Sequence, residues 1–328
     1  MRVLVDAMGG DNAPLEILKG TLEAKAEYGI TPIFVGDEQI IKKVAAENAL
    51  DLTDCEIVHT SEVIAMDETP SEIVKSKKNS SMGLAMQMLA DGKGDALVSA
   101  GNSGALVVGA TLICKRIKGI KRPAFAPVLP NMGGCFMLID SGANIDTRPE
   151  MMLQFGLMGS VYMEKVMGIA KPRVALANVG TEEHKGSELQ QNSYKLLQNS
   201  GLNFIGNIEG RDIPANACDV LVCDGFTGNL ILKTYEGVAM ELMNKLKSVF
   251  MSGIKGKLAA GLVYGELKKM KKEFDYNEYG GAPVLGTAKP VFKSHGSAKA
   301  KTFKNAIRLA KQYYEGNVIE NIANALAQ

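Results

Sequence analysis

Short apolar runs alternate with longer stretches of helical spacing along most of this chain. Arg2–Asp6, 32–35 and 56–59 read as strands. Leu15, Leu18 and Leu22, then Ile40, Ile41 and Val44 within 37–48, recur at intervals that put apolar side chains on one helix face. Asp11 or Asn12 can cap the first helix, and Pro14 fits its first turn. The same rhythm predicts a strand at 95–99, a helix over 105–115, and a hairpin of 124–129 with 135–139 around 130–134. A helix rich in methionine and leucine follows over 149–166, then strands at 173–177 and 204–208. Residues 220–223 form an apolar run long enough for a buried strand, and a helix is expected from Leu230 to about Phe250. Late strands fall within 279–286 and 290–294, and 299–314 closes as an amphipathic helix. Strands alternating with helices of this length imply an α/β protein with a mainly parallel sheet wrapped by helices. No low-complexity linker interrupts 1–328, so one domain is expected, with two lobes around a central cleft.

One strand–turn–helix unit occurs twice. Asp95-Ala-Leu-Val-Ser-Ala-Gly-Asn-Ser-Gly-Ala-Leu106 aligns without a gap on Asp219-Val-Leu-Val-Cys-Asp-Gly-Phe-Thr-Gly-Asn-Leu230, with six of twelve positions identical. A glycine-containing turn from strand to helix presents backbone N–H groups to an anion. Two such turns could face one cleft and hold one anionic substrate. Gly101, Asn102, Ser103 and Gly104 in the first copy, and Gly225, Thr227 and Gly228 in the second, are the candidate contacts.

Composition narrows the chemistry. The net charge of +1 argues against a general nucleic-acid binder. Five cysteines with no CxxC pair read as reduced thiols of a cytosolic protein. Three histidines make a His-rich metal centre improbable. The sequence contains no G-x-S-x-G elbow, no early G-x-G-x-x-G and no Walker A loop, which sets aside several nucleophilic and nucleotide-dependent mechanisms. Turns of glycine, asparagine and serine remain, with lysines and scattered carboxylates. That set suits an enzyme whose substrate brings its own nucleophile, as inorganic phosphate does.

Three further stretches stand out. Asn178-Val-Gly-Thr-Glu-Glu-His-Lys-Gly186 leaves a strand, and its Lys185 is a cation for a substrate anion or one member of an exposed ion-pair loop. Lys115, Arg116, Lys118, Lys121 and Arg122 crowd into eight positions, as a wet face or a dock for an acidic protein. In 251–272 an apolar stripe that includes Leu258, Ala259, Leu262 and Val263 is flanked by lysines. Such a hairpin can lie in an anionic bilayer interface or pack in a dimer.

Seven motifs in order carry a family resemblance: Val5-Asp-Ala-Met-Gly-Gly-Asp11, Ser99-Ala-Gly-Asn-Ser-Gly-Ala105, Asp140-Ser-Gly-Ala-Asn144, Gly180-Thr-Glu-Glu-His-Lys-Gly186, Cys223-Asp-Gly-Phe-Thr-Gly-Asn229, Tyr279-Gly-Gly-Ala282 and His295-Gly-Ser297. They resemble those of the bacterial acyl-ACP:phosphate acyltransferases. Ala298 departs from the pattern where that family often has a second serine, and His184 sits at a variable position. The resemblance implies a three-layer αβα fold similar to the isocitrate and isopropylmalate dehydrogenases and the phosphotransacetylases. It implies transfer of an acyl group from acyl carrier protein to inorganic phosphate, without a cofactor or a metal. It implies a cytoplasmic homodimer held peripherally at an anionic membrane surface, feeding acyl phosphate to a membrane glycerol-3-phosphate acyltransferase. Lys185 and Asn229 are then the expected catalytic pair, and Asp224 would orient Lys185, accept a phosphate proton, or serve only as a structural cap at the strand end.

Overall fold

The alternation resolves, in a computed structural model that describes residues 1–273 and 278–327, into two sheets. The larger takes β1 (Arg2–Asp6), β2 (Thr31–Gly36), β3 (Glu56–His59), β4 (Ala96–Ser99), β5 (Ala124–Phe125), β11 (Gly281–Leu285) and β12 (Val291–Ser294). Their spatial order is β3-β2-β1-β4-β12-β11-β5. The smaller sheet takes β6 (Val128–Asn131), β7 (Gly134–Ile139), β8 (Val174–Asn178), β9 (Phe204–Glu209) and β10 (Val220–Val222), in the order β6-β7-β10-β8-β9. Parallel ladders dominate; β11 runs antiparallel to both its neighbours, and β6 runs antiparallel to β7.

Successive side chains of a strand point to opposite faces, and here both faces are covered. In β1, Val3 and Val5 enter a core shared with α1 (Leu15–Tyr28), α2 (Glu38–Glu47) and α10 (Ala300–Glu315), while Leu4 enters one shared with α3 (Ser81–Ala90) and α4 (Ser103–Leu112). In β10, Val220 and Val222 join the first of these cores with α5 (Pro149–Lys165), α6 (Glu188–Gln198) and α11 (Val318–Leu326). Leu221 faces the opposite side, where α7 (Gly225–Met251) packs. The fold is therefore α/β with three αβα layers, as expected, and one apolar core runs unbroken beneath both sheets.

The chain passes between the sheets where one strand was expected. Ala124 and Phe125 pair with β11, whereas Val128–Asn131 pair with β7. Pro127, with no N–H to give either ladder, sits at the switch. The first helix also differs from expectation. Pro14 precedes its first residue, and Asn12 donates its amide to the carbonyls of Ser297 (3.1 Å) and Ala298 (3.3 Å) instead of capping the helix. The segment 251–272 holds two short helices, α8 (Gly253–Leu262) and α9 (Tyr264–Glu273), and α8 buries none of its residues.

Candidate functional site

Three of the glycine-rich motifs meet at the ends of β1, β4 and β12. Asp6 closes β1 with its carboxylate fully buried, accepting hydrogen bonds from Ser81 Oγ and Ser99 Oγ, each at 2.6 Å. Burial pushes its pKa above the usual aspartate value, against those two bonds. A side chain at Gly9 would stand 2.4 Å from that carboxylate and 2.8 Å from the Gly101 amide, so only glycine lets the two turns run together. The Asp11 N–H then donates to Gly296 O at 2.8 Å, which brings in the His295-Gly-Ser297 turn.

In the first copy of the repeated unit, Asn102 caps α4: its Oδ1 accepts from the Ala105 N–H at 2.9 Å. Its Nδ2 donates to the carbonyls of Ala65 (3.1 Å), Met66 (3.1 Å) and Glu68 (3.0 Å). Asn102 thus uses its side chain to hold the 65–68 loop. Gly101 and Gly104 let that turn approach Met82 and Pro70, where an added Cβ would meet side-chain atoms at 2.7 and 2.6 Å. Ser103 is exposed.

The second copy is arranged differently. The helix α7 begins at Gly225, before the expected Leu230, because Asp224 caps it. The Asp224 carboxylate accepts from the Thr227 N–H (2.9 Å) and the Thr227 hydroxyl (2.7 Å). It makes no ion pair with Lys185 among the described residues. Gly225 and Gly228 let the helix start lie on the 140–144 turn: an added Cβ would stand 2.3 Å from Asn144 O and 1.9 Å from Asp140 O respectively. Asp140 in turn holds that turn, accepting from the N–H groups of Phe125, Ala143 and Asn144 and from the Asn144 amide, at 2.6 to 3.1 Å. Asn229 is exposed and donates to Ser141 O at 3.3 Å. Lys185 is exposed on the loop after β8; its ammonium has no hydrogen-bond or ion-pair partner among the described residues.

Beside the start of α4 and the body of α7 lies a cavity of about 370 Å³. Its apolar wall is Phe125, Pro127, Val128 and Leu129 of the crossover with Leu232 of α7. Its polar end is Asp11, Ser103, Lys293, His295 and Ser297. The repeat predicts both turns at one cleft, but only the first copy reaches the cavity, through Ser103; the second copy stops short of it, and α7 lines it further on with Leu232, Lys233 and Glu236. Gly101, Asn102, Gly104, Gly225, Thr227 and Gly228 shape the turns behind the wall, and Lys185 and Asn229 stand outside it. Asn229 is one helical turn before Lys233, a lining residue on the same face of α7.

Lys293 had drawn no attention in the sequence. It is 6% exposed, in β12 between β4 and β11, and burial pulls its ammonium down to about 8. A lysine inside an apolar strand directly before His295-Gly-Ser297 was the available signal. His295 is held below the usual histidine value, chiefly by desolvation, and its Nδ1 lies 2.8 Å from Ser297 Oγ. Among the described residues no group of three or more His, Cys, Asp or Glu side chains could hold a metal ion.

Away from the cavity, Lys115, Arg116, Lys118, Lys121 and Arg122 are all exposed around buried Ile117 and Ile120. Leu258, Ala259, Leu262 and Val263 are exposed too, Leu262 by 87%. Among the described residues no helix is long and apolar enough to cross a membrane.

Comparison with known proteins places the chain in a family. A family model described as "Fatty acid synthesis protein" matches residues 1–321. A phosphate acyltransferase from Thermoanaerobacterium thermosaccharolyticum is 48% identical over 323 residues, covering 98% of this chain and 96% of that protein. One from Caldanaerobacter subterraneus subsp. tengcongensis is 47% identical over 323 residues, with the same coverage. A solved phosphotransacetylase from Streptococcus pyogenes superposes with a TM-score of 0.64 at 17% identity, covering 100% of this chain and 94% of that one, a likeness of fold. With a family match along nearly its whole length and relatives close to half identical, the chain belongs to the fatty acid synthesis protein family and is an enzyme of the phosphate acyltransferase kind.

Proposed function

We propose that the protein moves a fatty acyl group from acyl carrier protein to inorganic phosphate, releasing acyl phosphate for phospholipid synthesis. The observation that carries this reading is the cavity, where an apolar wall meets a buried cation. A phosphate oxygen attacks the thioester carbonyl carbon, the carbonyl takes up negative charge, and the C–S bond breaks, the departing thiolate taking the proton that the hydrogen phosphate gives up and leaving as the carrier's thiol. The nucleophile belongs to the substrate, so no side chain is acylated. Lys185 and the Asn229 amide stabilise the charge on the carbonyl oxygen. Holding phosphate against the thioester supplies about 7–11 kcal/mol of the barrier when the geometry is good.

The five exposed basic residues of 115–122 form a surface suited to the acidic carrier protein. The exposed apolar side chains of α8, bordered by Lys255 and Lys257, suit the interface of an anionic membrane, where a glycerol-3-phosphate acyltransferase would take up the product. The exposed apolar residues of α7, among them Val238, Leu242 and Val249, suit a homodimer contact.

The test is a hydroxylamine trap. Protein is incubated with palmitoyl carrier protein and phosphate, beside reactions with palmitoyl-CoA and without phosphate. Phosphate-dependent acyl hydroxamate from the carrier thioester is the expected result. Product from CoA alone would turn the reading towards a phosphotransacetylase-like activity, and no product from either would remove it.

A further inference from the structure

A buried ammonium group is costly unless something compensates it, and Lys293 has no carboxylate partner within ion-pair distance among the described residues. Its Nζ donates to Ala100 O at 3.0 Å and to Ser294 O at 2.5 Å. An ammonium carries three N–H donors, and the third has no acceptor among the described residues. Lys293 also lines the polar end of the cavity, beside the turns that end β1, β4 and β12.

The two bonds it does make aim it. Ala100 O belongs to the turn between β4 and α4, so one carbonyl of the repeated unit and one of its own strand hold Nζ at the cavity floor. A residue serving only as a strut would need those two carbonyls and no charge. The cavity's apolar wall is the crossover, whose side chains cannot solvate a cation.

We propose that Lys293 binds the attacking phosphate at the floor of the cavity, leaving Lys185 and Asn229 to the carbonyl oxygen. This assignment rests on the acyl-transfer reading given above. Phosphate would accept from the third N–H and neutralise the buried charge. Its remaining oxygens would reach the Ser103 and Ser297 hydroxyls, which line the same end. The groups facing Lys293 are Asp6 from β1, Asp11 from the following turn, Lys233 and Glu236 from α7, Tyr279 beside β11 and His295 beyond β12. Lys233 is itself ion-paired to Glu236 at 2.9 Å.

The experiment is a kinetic split. Lys293→Met keeps most of the side chain's length and removes its charge. It should raise KM for phosphate about tenfold or more while KM for the acyl donor stays within about twofold. Lys293→Arg should keep KM for phosphate nearer that of the unaltered protein. A phosphate KM within about twofold of the unaltered value in Lys293→Met would overturn the assignment and leave Lys293 a strut. If Lys293→Met does not fold, equilibrium dialysis of inorganic phosphate on the unaltered protein decides. Affinity should fall about tenfold between about pH 7.5 and pH 9.5 as the buried ammonium loses its proton, and fall equally in Lys233→Gln. Flat affinity over that range would overturn the proposal. Should the unaltered enzyme make no acyl hydroxamate, the acyl-transfer reading fails by itself, and dialysis still reports on Lys293.

Discussion

The two copies of the strand–turn–helix unit share more than their sequences, and then part. In the first, the Asp95 N–H donates to Arg2 O at 2.8 Å and its carboxylate accepts from the Arg2 N–H at 2.6 Å. In the second, the Asp219 N–H donates to Arg173 O at 2.9 Å and its carboxylate accepts from the Arg173 N–H at 2.7 Å. The registers also match: Val3 pairs with Ala96, and Val174 with Val220. The likeness therefore extends to the neighbouring strand, which starts Arg-Val in both places. It ends at the turn. The first helix is capped by Asn102, the second by Asp224, two positions earlier in the alignment. A cap decides where a helix can begin, so moving the capping residue moved the first glycine from the turn before the cap (Gly101) into the first helical turn (Gly225), while the second glycine is helical in both. Equal strands set equal starting points; the caps made one turn a holder of the 65–68 loop and the other a close partner of the 140–144 turn.

The largest effect expected from this comparison is chemical. Asn229, in the second copy, has Ala105 as its counterpart in the first. Asn229→Ala and Lys185→Ala should each lower turnover about 100-fold or more, with the melting temperature unchanged, if both act on the carbonyl oxygen. Near-normal turnover in steady-state assays would remove that residue from the mechanism.

Next come the glycines. Gly228→Ala drives a Cβ to 1.9 Å from a backbone carbonyl, whereas Gly104→Ala drives one to 2.6 Å from the Pro70 ring. Backbone on both sides cannot yield, so denaturant unfolding should show a loss of about 3 kcal/mol for Gly228→Ala and about 1 kcal/mol for Gly104→Ala. Equal losses would mean the two helix starts are equally constrained.

The smallest contrast lies at the strand starts. Arg173 adds side-chain hydrogen bonds to Asp219 at 2.9 and 3.1 Å, while the Arg2 side chain turns to exposed Glu56. Burial alone would raise the Asp219 carboxyl, but the bonds from Arg173 hold it below the usual aspartate value. A depressed carboxylate stabilises the fold above its unfolded pKa and loses that contribution as pH falls through its folded value. Arg173→Met should cost about 2 kcal/mol at neutral pH and progressively less below about pH 4, while Arg2→Met costs about 0.5 kcal/mol or less. Unfolding midpoints at the two pH values check both.

Much of the molecule follows from local pattern. The strands Arg2–Asp6 and Glu56–His59 and the helices near 37–48, 149–166 and 299–314 were legible because apolar spacing and caps act over a few residues. The helices Glu188–Gln198 and Val318–Leu326 were not anticipated, and 124–129 hid a passage from one sheet to the other. The site divides the same way. The repeat pointed to two turns facing one cavity; the first lines it through Ser103, while the second does not, and the helix that follows it lines the cavity instead.

What the sequence determined by itself was the alternation that makes an α/β fold, the repeated unit and the motifs that mark the family, since all of these are written in neighbouring residues. The tertiary structure alone decided which glycines serve packing, which aspartate is a cap, and that Lys293 is buried at the cavity floor. A lysine in a four-residue strand is surface or core according to what flanks it; β11 adjoins β12 in the chain, but β4 and the Ala100 carbonyl reach it from a distant part. Burial, and with it the cost of an unpaired charge, depends on those long-range pairings, and no local pattern encodes them.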